Sequence, residues 1–307
     1  MDDIVRRSIL LVSVLDREGV AGSWRHGADA VTLDLADGVP ESEKEQARGL
    51  ARESIATARR GGAEVFVRIN KELAYADIEA SGWPGLTGIV LPSPEVAQDV
   101  QDVADLLLEM ERRHGISAGS LQLFLLLGTP KGVWNMRELI YASARVSSVG
   151  LDGTNLCRSM GILPREDFDP FLFATGRLVI ECTAARVQPV GMSHPLSIVP
   201  RLLSGDEIHR LAERGRNTGF KGAICPHPSW VEPCNRAFSP TEEQVELYRE
   251  IRRVFGEGVA QGRAAVPMNG RMLDVPVDER AKKMIALWER CQRRDAEKAT
   301  AVAVNRG

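Results

Sequence analysis

The sequence predicts a closed parallel α/β barrel, a (β/α)8 TIM barrel, carrying a small C-terminal helical and hairpin extension. Three observations predict it. Eight short apolar runs alternate with segments of helical periodicity, several of those runs end in Gly-rich or acidic polar turns, and the pattern changes character after Asn235. Eight strands alternating with helices argue for a closed barrel over an open sheet, and 307 residues accommodate a barrel of about 250 plus an appendage.

Residues 8–13 (SILLVS) read as a first buried strand and 17–27 as a short helix closed by glycine. Residues 29–35 (DAVTLDL) make the second strand, ending in Asp34-Leu35-Ala36-Asp37-Gly38. Ser42 with Glu45 three residues on is a capping box for a helix carrying Ala47, Leu50, Ala51, Ser54 and Ala58 on one face. Strands three and four are 64–69 (EVFVRI) and 87–91 (TGIVL), and the stripe Val96, Val100, Val103, Leu107 and Met110 marks the helix that follows. The stretch 121–161 holds strand five, the turn Gly128-Thr129-Pro130-Lys131-Gly132, a helix with Val133, Met136, Leu139 and Ile140 on one face, and strand six ending in Asp152-Gly153-Thr154-Asn155. A helix at 170–185, a seventh strand at 187–192, a helix capped by Ser204 and Glu207, and an eighth strand at 221–225 complete the alternation.

Beyond Asn235, Ser239-Pro240 with Glu242 starts a helix with proline at its first position, Asn269-Gly270 signals a hairpin, and Ala281, Met284, Ile285 and Trp288 mark a last helix. Residues 1–235 are therefore the expected barrel and 236–307 an extension too small to bury much alone, expected to pack on the barrel or on a neighbouring subunit, with 293–307 frayed. A net charge of -3 offers no basic footprint for nucleic acid. No apolar run suits a signal core or a membrane span, and five cysteines without a Cys-x-x-Cys spacing signal neither a disulfide framework nor a zinc site. A cytoplasmic protein with reduced thiols is expected.

An ordered set of landmarks resembles the citrate lyase beta-subunit-like branch of the HpcH/HpaI aldolase superfamily, the CoA-ester lyases. They are Arg7-Ser8, Asp34-Leu35-Ala36-Asp37-Gly38-Val39, Lys44 with Ala47-Arg48, Val67-Arg68-Ile69-Asn70, Leu91-Pro92, Thr129-Pro130-Lys131-Gly132, Phe220-Lys221-Gly222, His227-Pro228-Ser229 and Asn269-Gly270-Arg271-Met272-Leu273-Asp274. The resemblance implies the barrel, a C-terminal arm covering a neighbour's pocket in a homotrimer or homohexamer, and aldol or Claisen chemistry on acyl-CoA or small oxo acids assisted by Mg²⁺. Such an ion acts as Lewis acid and wants hard oxygen ligands. In those relatives a Glu before the Thr of strand five and an Asp after strand six supply them; here the positions are Gly128 and Asn155. Ala36, Ser93, Gly191 and Trp230 depart from the family as well, and Asp152 stands where relatives carry glycine. No cofactor is expected, and no metal ligand is assigned.

Arg68, at a strand end, is expected either to form a bidentate pair with a substrate carboxylate or to pair with Asp34 or Asp37 across the barrel mouth. Asp34 and Asp37 are candidates for acid/base or orienting work, or Asp37 for a turn-stabilising acceptor. His194 after strand seven is a candidate general base, while His227 is expected mainly to shape its turn. Ser93, Gly128, Thr129 and Asn155 join Arg68 as candidate substrate contacts, the Gly-rich turns offering amides as oxyanion stabilisers. Cys157 and Cys225 are expected to be inert. By resemblance, Asp274 either protonates an enolate in a neighbouring subunit or caps the turn that follows it. The function expected is a divergent lyase or derived hydrolase acting beside a carbonyl of a small carboxylate or acyl-thioester, with little metal dependence; the alternative is a catalytically silent binding or scaffolding barrel.

Overall fold

A computed structural model describes residues 4–163, 165, 168–192 and 203–306. In chain order its elements are β1 (Ser8–Ser13), α1 (Arg17–Ser23), β2 (Ala30–Asp34), α2 (Lys44–Ala58), β3 (Glu64–Arg68), α3 (Ala74–Ser81), β4 (Gly88–Pro92), α4 (Ala97–His114), β5 (Gln122–Leu127), α5 (Pro130–Trp134) and α6 (Met136–Tyr141). They continue with β6 (Val146–Leu151), α7 (Gly153–Met160), α8 (Leu172–Ala185), β7 (Gln188–Val190), α9 (Gly205–Thr218), β8 (Ala223–Cys225), α10 (Val231–Ala237), α11 (Glu242–Ala260), β9 (Val266–Met268), β10 (Arg271–Leu273) and α12 (Val275–Arg306).

Strands β1 to β8 pair in parallel in the order β7-β6-β5-β4-β3-β2-β1-β8, and a parallel bridge between Val190 and Gly222 brings β7 to the segment before β8. Gly191 N donates to Gly222 O (2.8 Å) and Lys221 N to Pro189 O (3.0 Å), so the barrel is closed. The strands are mostly apolar on both faces, because one face fills the barrel and the other meets helices. Ile9, Ala30, Phe66, Val90, Phe124, Leu126 and Val190 fill the interior, with the rings of Phe66 and Phe124 edge-to-face at 6.5 Å.

The elements depart from expectation where short-range signals compete. The Ser42/Glu45 box does not form: residues 41–43 make a 3-10 turn, and α2 starts at Lys44 with no side-chain cap. The single helix expected after strand five is broken at Asn135 into α5 and α6. Asp152 accepts from Asn155 N and turns the polar segment after β6 into the start of α7. Thr241, not Ser239, caps α11, with Gln244 closing the box. The Ser204/Glu207 box forms as read.

Two compact units emerge, one of residues 1–238 with 298–307 and one of 239–297. Within the second, Phe255, Val266 and Leu273 form a small apolar cluster, and Asn269 and Gly270 make the hairpin turn with φ of 49° and 75°. The chain end is not frayed as expected. α12 continues to Arg306, and in the first unit Lys298 Nζ is buried, donating to Gly27 O (2.8 Å) and to Asp29, while Asn305 Nδ2 donates to Arg60 O (3.0 Å). No helix among the described residues is long and apolar enough to cross a membrane.

Candidate functional site

A cavity of about 710 Å³ opens at the C-terminal ends of the strands, and all its lining residues belong to the first unit. Its polar wall comes from three strand ends. Asp34 closes β2 and Arg68 closes β3, in direct register with each other. Asp152 follows β6, and Gly153, Thr154 and Asn155 from the first turn of α7 continue the wall. The apolar wall comes from Phe171, Val190, Met192, Phe220, Ile224 and Trp230.

Arg68 is the centre of the polar wall, only 6% exposed. Its Nη2 donates to Asp37 Oδ2 and, at 3.3 Å, to Asp152 Oδ2; its Nη1 lies 3.7 Å from Asp34 Oδ2 without a hydrogen bond there. The ion-pair alternative for Arg68 is thus the arrangement observed, extended to a third acid. Asp34 is fixed by the backbone: its two oxygens accept from Ala36 N (2.8 Å) and Gly38 N (2.9 Å). Asp37 instead leaves 65% of its side chain exposed, so it is the carboxylate of the group most open to solvent. Lys44 anchors the loop that carries Asp37, donating to Leu35 O (3.0 Å), Ala36 O (2.7 Å) and Asn70 Oδ1 (2.7 Å).

Asn155 lines the cavity, its Nδ2 donating to Asp152 Oδ2 (2.7 Å). Ser93, Gly128 and Thr129 are not on the cavity wall. Thr129 Oγ1 accepts from Gly132 N and caps α5, and a Cβ placed on Gly128 would lie 2.5 Å from Ser93 Oγ and 2.9 Å from Asn155 Cβ. Ser93 holds a left-handed φ of 48° and donates its N–H to Leu126 O. His194 lies outside the described residues. His227 Nδ1 accepts from Ser229 N (3.2 Å) and shapes its turn. Asp274 belongs to the second unit, where Oδ1 accepts from Val277 N (3.1 Å) at the start of α12.

Three of the buried thiols, Cys157, Cys182 and Cys225, are unsuited to nucleophilic work. Burial pushes Cys182 up to about 12 and raises Cys157, and burial with the neighbouring Cys234 thiol raises Cys225 well above the usual thiol range. Sequence reasoning missed much of the apolar wall. Phe171, Met192 and Phe220 come from separate segments, and although Phe220 stands in the landmark Phe220-Lys221-Gly222, nothing local marks the three as one wall; only closure of the barrel brings them together.

This rim carries no carboxylate at the two positions where the resemblance places a divalent ion's ligands. At those positions glycine offers no side chain and a neutral amide replaces an anion, and the volume a larger residue at 128 would need is filled by Ser93 and Asn155. Asp152, the nearest acid, already accepts from Arg68 and twice from Asn155, and no group of three or more potential metal ligands occurs among the described residues.

Comparison with known proteins adds three kinds of finding. The family model described as HpcH/HpaI aldolase/citrate lyase matches residues 7–228. Citrate lyase subunit beta of Haemophilus influenzae is 26% identical over 284 residues, covering 92% of this chain and 96% of that protein. A (3S)-malyl-CoA thioesterase of Cereibacter sphaeroides is 27% identical over 275 residues, covering 87% and 89%. Among solved structures, CitE from Mycobacterium tuberculosis in complex with magnesium, acetoacetate and coenzyme A superposes with a TM-score of 0.72 at 22% identity, covering 94% of this chain and 99% of that one. At that identity the likeness speaks for the barrel.

Proposed function

The chain belongs to the HpcH/HpaI aldolase/citrate lyase family, a family of lyase-type enzymes, and from that premise we propose that its barrel mouth makes, breaks or hydrolyses the bond beside the carbonyl of an acyl-thioester or small oxo acid, without an ion gripped by protein carboxylates. The observation that carries this is the Arg68 cluster on the cavity wall beside a closed-packed Gly128.

Arg68 Nη1 orients and polarises the carbonyl oxygen, placing a donor where negative charge develops. Asp37, hydrogen-bonded to Arg68 yet open to solvent, moves the proton. Asp34, held by two backbone amides, keeps the guanidinium in place. Phe171, Met192, Phe220 and Trp230 surround the reacting group with apolar surface and thin out the water around it.

The test is a panel of acyl-CoA thioesters and oxo acids, scored for released thiol and for new carbonyl products, with the wild-type chain beside Asp37→Asn. Turnover by the wild type and its loss in the variant support the proposal. Ligand-induced thermal stabilisation with no product from any substrate replaces it with the silent binding barrel.

A further inference from the structure

Among the described residues, the cavity wall carries four carboxylates, Asp34, Asp37, Asp152 and Asp169, against two guanidinium groups, Arg68 and Arg158, a formal charge of -2. Arg68 has little left for an anion. Both contacts of Nη2 go to carboxylates, Nη1 faces a third at 3.7 Å, and Nε, buried without an acceptor, is closed to a ligand. Asp152 cannot swing aside cheaply, because Oδ1 accepts from Asn155 N (3.0 Å) and Oδ2 from Asn155 Nδ2 (2.7 Å). At Arg68 an arriving carboxylate therefore meets three negative charges around one positive charge, whereas a neutral carbonyl oxygen needs only a hydrogen from Nη1. Around this group the cavity is walled by Leu126, Phe171, Phe220, Ile224 and Trp230.

We infer that Asp152 fills the place a ligand carboxylate would take on Arg68, so that the part of the ligand seated in the cavity is an uncharged acyl or carbonyl group on an apolar body. Asp152 is then the residue that sets specificity, rejecting oxo acids in favour of uncharged acyl groups. This narrows the function proposed above and rests on it.

Ligand pairs that differ only in charge test it: acetoacetate against acetoacetamide, and pyruvate against pyruvamide, titrated calorimetrically into the full chain at low salt. Asp152→Asn is the informative variant, because asparagine keeps the acceptor that caps α7 while removing the charge. The wild type is expected to bind each amide at least about tenfold more tightly than its acid, and Asp152→Asn, with an unchanged melting temperature, to erase or reverse that preference. Equal or tighter binding of the acids by the wild type overturns the inference, as does an Asp152→Asn protein that folds and keeps the amide preference. The two proposals fail separately. Turnover confined to substrates with a carboxylate-bearing acyl group removes this inference and leaves the enzyme, whereas the expected amide preference with no turnover at all leaves this inference and removes the enzyme.

Discussion

The two ends of the barrel each hold buried arginine among acids, and they are built to opposite purposes. At the N-terminal end Arg6 is fully buried, pairing with Glu64, donating to Ser147 and Ser148 (3.2 and 3.0 Å) and lying over the Phe66 ring. Beside it Arg7 grips Asp29 through two side-chain nitrogens (2.8 and 3.0 Å), and Lys298 donates to the same carboxylate. At the C-terminal end Arg68 faces three acids on the wall of a 710 Å³ cavity, one of them Asp37 at 65% exposure. A largely buried cluster in which each acid is held by cations brings the fold together; an open cluster in which acids outnumber the guanidinium is equipment for a ligand. Strand-end polarity in such barrels divides stability from function in the same way.

Substitutions can break that division. The largest stability effect is expected from Asp29→Ala, which leaves Arg7 and Lys298 buried without their shared anion. Equilibrium urea unfolding should register a loss of about 3–5 kcal/mol. The second is expected in rate and not in stability: Asp37→Asn should lower turnover about 10²-fold or more while moving unfolding free energy by less than about 1 kcal/mol, since its carboxylate is largely solvated. A large stability loss at Asp37 with normal turnover would put the upper cluster in the same class as the lower one.

Gly128→Ala sharpens the comparison from within the upper rim. Its Cβ would stand 2.5 Å from Ser93 Oγ and 2.9 Å from Asn155 Cβ, so a cost of about 1–3 kcal/mol in thermal or urea unfolding is expected. Ser93→Gly should recover part of it, because the hydroxyl goes and glycine accepts the left-handed φ of 48°. The smallest effect is pH-dependent. Burial alone would raise the pKa of Asp29, but hydrogen bonds and charge from Arg7 together with Lys298 hold it below the ordinary value. The stability this gives is present in full above the unfolded carboxylate pKa of about 4 and is lost as pH falls through the lower folded value. Asp29→Asn should therefore flatten the acid limb of a stability-against-pH curve and leave the neutral limb in shape.

Most of the barrel was legible because a strand buried on both faces must be a near-continuous apolar run, as in 123–127, and because helices between such runs show their buried stripe, as Val100, Val103, Leu107 and Met110 do. Boundaries failed where two local solutions compete, as at Ser42/Glu45, where backbone hydrogen bonds of a 3-10 turn replace the side-chain cap. In the site, Arg68, Asp34 and Asp37 were legible as charged residues at strand ends. Asp152 was legible as an acid at the end of strand six but its pairing was not, since a polar turn after a strand says nothing of which guanidinium its acid will meet 84 residues away in sequence. Arg6 and Lys298 left no signal either: each reads as an ordinary surface cation until closure of the barrel buries Arg6 and the end of α12 brings Lys298 onto Gly27 and Asp29.

The most direct test of a rim that works without a protein-held ion is one comparison of initial rates, on whichever acyl-thioester the panel identifies, after exhaustive chelation and again after Mg²⁺ is restored. Rates equal within about twofold are the expected result. A rate that collapses with chelator and returns with Mg²⁺ would contradict it.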